Sequence, residues 1–152
     1  MMINKYQQVM DFLGKERIGV LTTMIHDERP HSAVLHFSFS PDRNVFYFST
    51  DKTSRKATFL GYTHTSNAAL VVGFSETEWQ TLQLEGVVQI VADEEELAEA
   101  KKIHYAMHPN SQKFESDPDT IFLVFKPDWF RYTDFMKKPV EVVLEDEILP
   151  GK

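Results

Sequence analysis

The chain has 152 residues, 42% apolar and 26% charged, with a net charge of −7 and no cysteine. That length suits one domain (residues 1–152) with a self-sufficient core, and the lack of thiols removes disulfides, thiolate metal sites and cysteine nucleophiles. The acidic balance argues against a nucleic-acid partner, and no apolar run approaches ~18 residues, so no membrane span is expected and the chain reads as cytoplasmic.

Ile3, Tyr6, Val9, Met10 and Leu13 recur at helical spacing and predict a first helix over 3–13, stopped by Gly14. Residues 18–25 (IGVLTTMI) are β-rich, 26–30 (HDERP) form a turn, and 31–39 (HSAVLHFSF) alternate with period two. A second turn at 40–44 (SPDRN) leads into a strand over 45–50 (VFYFST), which gives an antiparallel meander. A short helix is expected over 53–61, started by caps at Thr53 and Ser54. Strands over 70–74 and 81–92 follow, then an acidic helix from an Asp93 cap to Met107, ended by His108-Pro109-Asn110. Two closing strands, 121–125 and 129–135, flank a turn at Lys126-Pro127-Asp128, and 139–149 reads as an edge strand or a disordered arm. About six strands with two or three helices predict a mainly β, α+β fold: an antiparallel barrel or sheet with helices outside.

The segment with the most chemistry is 49–56 (STDKTSRK). A strand ends at Thr50 and a helix starts near Ser54, so both ends present unpaired backbone N–H groups and the helix dipole adds partial positive charge. Thr50 and Ser54 offer hydroxyls, Arg55 can grip an anion bidentately, and Lys56, with Lys52, adds point charge. Two readings stand: a small-anion site, or a capped helix whose charges face solvent. Neither a Walker loop nor GxGxxG is present.

Among rival signals, His104 and His108 are spaced i, i+4 as metal ligands on a helix are, but no third ligand is evident. Histidines at a helix C-terminus also suit the dipole, and no metal is expected. His31 and His36 fall on opposite faces of one strand. Trp79 and Trp129 read as core or as contacts between copies of the chain.

The order of a strand ending FYFST, then SRKA and a short helix, then NAALVVGF and a long strand with Gly86, resembles the pyridoxamine 5'-phosphate oxidase-like FMN-binding split-barrel family. The hairpin IGVLTTMIHDERPHSAVLHF resembles that family's first two barrel strands, and LVFKPDWFRYTDF its closing strands, so the likeness covers roughly residues 15–136. The short acidic chain is more similar to the general-stress-protein branch than to the vitamin B6 oxidases. The resemblance implies a six-stranded antiparallel split β-barrel with flanking helices, binding FMN in a homodimer with both cofactor sites at the interface. It implies a small-molecule redox substrate. Arg55 and Lys56, with Ser54 before them, match the family's FMN-phosphate ligands, and Ser49-Thr50 the strand end with its hydroxyl. Val34, Leu35 and His36 would lie beside the isoalloxazine through main-chain groups. Thr81 stands where the oxidases carry a flavin-contacting Gln from the other subunit, and Tyr132 near their ring-stacking Trp.

The departures bear on activity. Residues 104–111 (HYAMHPNS) lack the Tyr/Arg/Ser set that grips the vitamin phosphate, and the C-terminal Arg–His element is missing from 132–142. The expectation is an FMN-dependent oxidoreductase of unknown substrate and not a vitamin B6 oxidase. The alternatives are a non-catalytic flavin-binding stress protein, or the same fold binding haem or a deazaflavin.

Overall fold

The computed structural model describes residues 4–137 and 141–146. Helix α1 (Lys5–Lys15) starts at Asn4, whose side chain accepts from the Tyr6 N–H at 2.9 Å, and buries Val9, Phe12 and Leu13. It runs through Gly14, one residue past the expected stop, and Ile3 lies outside the described residues. Strands β1 (Ile18–Ile25) and β2 (Arg29–Ser40) form a hairpin, followed by β3 (Val45–Asp51), α2 (Arg55–Thr63) and β4 (Thr65–Val72). Then come β5 (Gln80–Ile90), α3 (Glu94–Met107), β6 (Thr120–Asp134) and β7 (Glu141–Asp146). The expected acidic helix is capped as read, the Asp93 carboxylate accepting from the Glu96 N–H at 2.9 Å.

All pairings are antiparallel in the order β3-β2-β1-β4-β5-β6-β7, and a further β3–β6 ladder closes the first six strands into a barrel. β7 adds a seventh strand on the outer edge of β6, so the edge-strand reading of the tail holds over Glu141–Asp146; the rest of 139–149 falls outside the described residues. The alternation along β3 explains its aromatic run. Phe46 and Phe48 enter the barrel core, while Val45 and Tyr47 form a second apolar layer with Phe122, Val124, Ala100 and Tyr105 beneath α3. Val9, Phe12 and Leu13 of α1 and Leu60 of α2 join the barrel core.

Two expected boundaries move for physical reasons. The segment 120–134 is one strand and not two around a turn: Lys126-Pro127-Asp128 is a β-bulge, because Gly86 pairs with Pro127 while its neighbour Glu85 pairs with Trp129. The extra residue flips the inward parity of β6 from Leu123 and Phe125 to Phe130 and Tyr132, so both halves keep apolar side chains in the core. The strand expected over 70–74 instead spans Thr65–Val72. Its first half (TSNAA) carries no strong β signal and is held by ladders to β1 and β5 on either side. It stops at Gly73, whose φ of 98° is a left-handed conformation and whose Cβ, if present, would overlap Gln80 O and press on Phe12.

Candidate functional site

Strand β3 leaves β2 after four rungs, from Ser40↔Val45 to Phe37↔Phe48. Beyond Phe48 it pairs only with β6, as far as Asp51↔Thr120, while β2 runs back to Arg29 paired only with β1. The barrel is therefore split. The next positions in register are His36, Leu35 and Val34 on one lip and Ser49, Thr50 and Asp51 on the other, so the gap brings together two segments that the sequence singled out separately. Among the described residues no neighbouring strand takes up the outer backbone N–H and C=O groups of the β2 lip, and Val34 is 62% exposed there.

The β3 lip runs into a tied loop. The Asp51 carboxylate accepts from the Thr53 N–H and the Thr53 hydroxyl, both at 2.7 Å, and these bonds hold its pKa below the usual carboxylate value. The Ser54 N–H donates to Asp51 O at 3.0 Å and the Lys52 N–H to Asp119 O at 2.7 Å. Ser54 then caps α2, its hydroxyl oxygen accepting from the Ala57 N–H and from the Thr50 hydroxyl, each at 3.4 Å, while Thr58 N–H bonds Ser54 O. The N–H groups of Arg55 and Lys56, first in the helix, have no intrahelical acceptor. Because Ser54 satisfies one of the four orphan donors of α2, Ser54→Ala is expected to lower unfolding free energy by about 0.5–2 kcal/mol in urea titration; a loss below a tenth of that would show the cap to be idle.

The cations divide unequally. Lys52 Nζ lies 3.0 Å from Asp119 Oδ1, so this member of the expected basic cluster already has a partner. Arg55 is exposed and has no ion-pair partner among the described residues. Lys56 is only 5% exposed and faces no carboxylate among the described residues; burial pushes its pKa below the ordinary lysine value. The first turn of α2 thus carries two backbone donors without intrahelical acceptors, an exposed Arg55 and a buried Lys56, at the positive end of a helix dipole.

Thr81 and Tyr132 lie elsewhere. Along β6, Thr50 is opposite Ile121 and Thr81 opposite Thr133, so twelve residues of strand separate them, roughly 40 Å if extended. Thr81 lines a cleft with Phe74, Trp79 and Phe135, three aromatic side chains that are about half exposed. Tyr132 packs into the barrel core, its ring 5.1 Å from that of Phe12 and only 4% exposed, and it also lines a shallow cleft with Gln8, Asp11, Lys15 and Gln80; burial pushes its hydroxyl up to about 12. The bulge sets this orientation, and sequence spacing carries no sign of it.

A feature that spacing half revealed lies at the closed end of the split. The His36 ring, exposed on β2, is 4.8 Å from the His108 ring, which is 4.8 Å from the His104 ring. The i, i+4 pair was legible, but the strand histidine that joins it comes from far along the chain. No three acidic or imidazole groups among the described residues are arranged to hold a metal ion.

The family model described as pyridoxamine 5'-phosphate oxidase matches residues 6–134. Among solved structures, a haem-binding protein from Mycobacterium smegmatis is similar with TM-score 0.69 and 14% identity, over 87% of this chain and 55% of that one. The present chain thus spans about half the length of that relative. A protein related to general stress protein 26 from Clostridium acetobutylicum gives TM-score 0.67 at 17% identity, covering 89% and 93% of the two chains. General stress protein 26 from Bacillus anthracis gives 0.65 at 21% identity, covering 86% and 94%. At these identities the likeness is one of fold. No curated protein matches the sequence, and no helix among the described residues is long and apolar enough to cross a membrane.

Proposed function

The chain belongs to the pyridoxamine 5'-phosphate oxidase family, and on that premise we propose that it holds FMN in the split as an FMN-dependent oxidoreductase. The observation that carries this reading is Lys56, buried without a carboxylate partner among the described residues, in the first turn of α2 next to the exposed Arg55. A phosphate monoester would supply the missing negative charge and can accept from the backbone N–H groups, Arg55 and Lys56, whereas a solvent-facing helix cap leaves the buried charge uncompensated. Thr50 and Ser54 border the phosphate, and main-chain groups of Val34, Leu35 and His36 would meet the ring across the gap. FMN, when bound, supplies the hydride and electron transfer itself; the chain binds it, orients it and limits water around it. No side chain at the split stands out as a general acid or base.

A homodimer completes the reading. Thr81 pairs twelve residues along β6 from the rung of Thr50, and on this reading it meets the flavin of a second copy, with Phe74, Trp79 and Phe135 beside it. The substrate is a small redox molecule other than vitamin B6 phosphate. In the segment where the oxidases grip that phosphate, His104 and His108 are each 1% exposed and turned toward β2, and no Arg stands there.

Protein purified and mixed with FMN is expected to be yellow, with one flavin per chain recovered after heat release. Colourless protein that takes up no added FMN would sink the proposal, and uptake of haem instead would favour the other reading. NAD(P)H oxidation by the FMN-loaded protein then separates an enzyme from a flavin carrier.

A further inference from the structure

Two imidazoles tie the last turn of α3 to β2. His108, the C-terminal cap of α3, donates from Nε2 to Phe37 O at 2.6 Å, and His104 Nδ1 lies 3.0 Å from Ser38 Oγ. Phe37 is the last rung before the split opens, so this contact fixes the point at which the two lips diverge. His104 and His108 are each 1% exposed, and His108 Nδ1 is buried without a hydrogen-bond partner. With Nε2–H committed to Phe37 O, Nδ1 is the nitrogen a proton would take.

The groups facing this pair from every side are cationic or neutral. β2 contributes His36 and Ser38; the segment before β1 contributes Arg17, whose Nη1 donates to Met107 O at 3.4 Å; β6 contributes the Phe122 ring, 5.5 Å from His104. Within α3, Tyr105 lies beside His104, and Glu115 after α3 acts on Tyr105. Among the described residues no carboxylate pairs with any of the three histidines.

We propose that His104 and His108, packed against the His36 ring, form an acid-released latch that fastens the end of α3 to the lip of the split and lets it go as the buried pair gains protons. A proton on His104 or His108 lands beside another imidazole or Arg17, in a place with little water and no acid to offset it. Burial and the neighbouring imidazoles hold His104 down to about 4, against an ordinary 6.5, and lower His108 as well. The sign follows: with a depressed native pKa, the latch is fully closed above about pH 6.5 and weakens as pH falls toward 4. The latch holds whatever the split binds, so it stands apart from the flavin assignment.

The test is amide hydrogen exchange of flavin-free protein, corrected for the intrinsic pH dependence, at pH 7.5 and 4.5. Protection in residues 102–108 and 35–38 is expected to fall by roughly 70-fold at pH 4.5 from the His104 shift alone. A His104→Asn/His108→Gln variant keeps a neutral amide near each bonded nitrogen and is expected to show no such fall. Wild-type protection unchanged with pH, or an equal fall in the variant, would overturn the latch. Should that variant fail to fold, imidazole titration followed by NMR in the wild type decides: His104 staying neutral to about pH 4 supports the latch, and His104 titrating near 6.5 overturns it.

Discussion

Replacing Arg55 and Lys56 together by Ala is expected to weaken FMN binding at least about 100-fold, since each charge-assisted contact contributes roughly 1.5–3 kcal/mol. Titration of the apoprotein with FMN, followed by quenching of flavin fluorescence, measures it; affinity within a factor of three of wild type would move the phosphate away from α2. The single change Lys56→Met separates binding from folding. Lys56 is buried with no carboxylate partner among the described residues, so the folded apoprotein carries an ammonium that water solvates better in the unfolded chain. Methionine keeps most of the stem and drops the charge. The variant is therefore expected to unfold about 0.5–2 kcal/mol harder than wild type without flavin, while binding FMN about ten- to a hundred-fold more weakly. A surface lysine of a merely capped helix predicts neither change. The opposite signs follow from one fact: the charge is unfavourable until an anion arrives.

That fact was only partly legible in the sequence. The run STDKTSRK announces a strand end, a cap and three cations, but it does not say which of them are already partnered. The structure divides them by burial: Lys52 reaches Asp119, Arg55 faces water, and Lys56 is enclosed. Asp119 lies far along the chain, so no local pattern predicts that pair. The two lips were legible as segments because strand alternation is local, whereas their juxtaposition depends on β3 changing partners from β2 to β6 after Phe48. The core-facing side of Tyr132 was hidden for a related reason. Period two along β6 is sound on either side of Pro127, but the bulge resets the parity between the halves, and a count from one half misassigns the other. The histidine latch needed a contact between α3 and β2 that only the closed barrel creates.

The bulge also gives the largest expected effect on stability. Gly86 sits where β5 crosses the kink of β6, and a Cβ there would overlap Lys126 O and lie 2.8 Å from Pro127 Cα, both backbone atoms that no rotamer change can move. Gly86→Ala must therefore push the strands apart or erase the bulge. Erasing it would turn either Leu123 and Phe125 or Phe130 and Tyr132 out of the core. Losing a pair of core side chains is a multi-kcal/mol event, so the variant is expected to lose about 3–5 kcal/mol, a large part of the stability of a small domain. Gly61→Ala is the matching control. Its Cβ would meet nothing within 4 Å, and it lies inside α2, where Ala is favoured over Gly by about 0.5–1 kcal/mol. Urea unfolding of the two variants should thus move in opposite directions from wild type. A loss at Gly86 below about 1 kcal/mol would mean that β6 straightens without penalty, and the reason for two inward faces of different parity would have to be sought elsewhere. The same kink lets one strand close the barrel behind the split at Ile121 and still run past Thr81 to meet β7. Straightening β6 is accordingly expected to disturb the phosphate end of the split as well, seen as weaker FMN uptake in whatever Gly86→Ala protein remains folded.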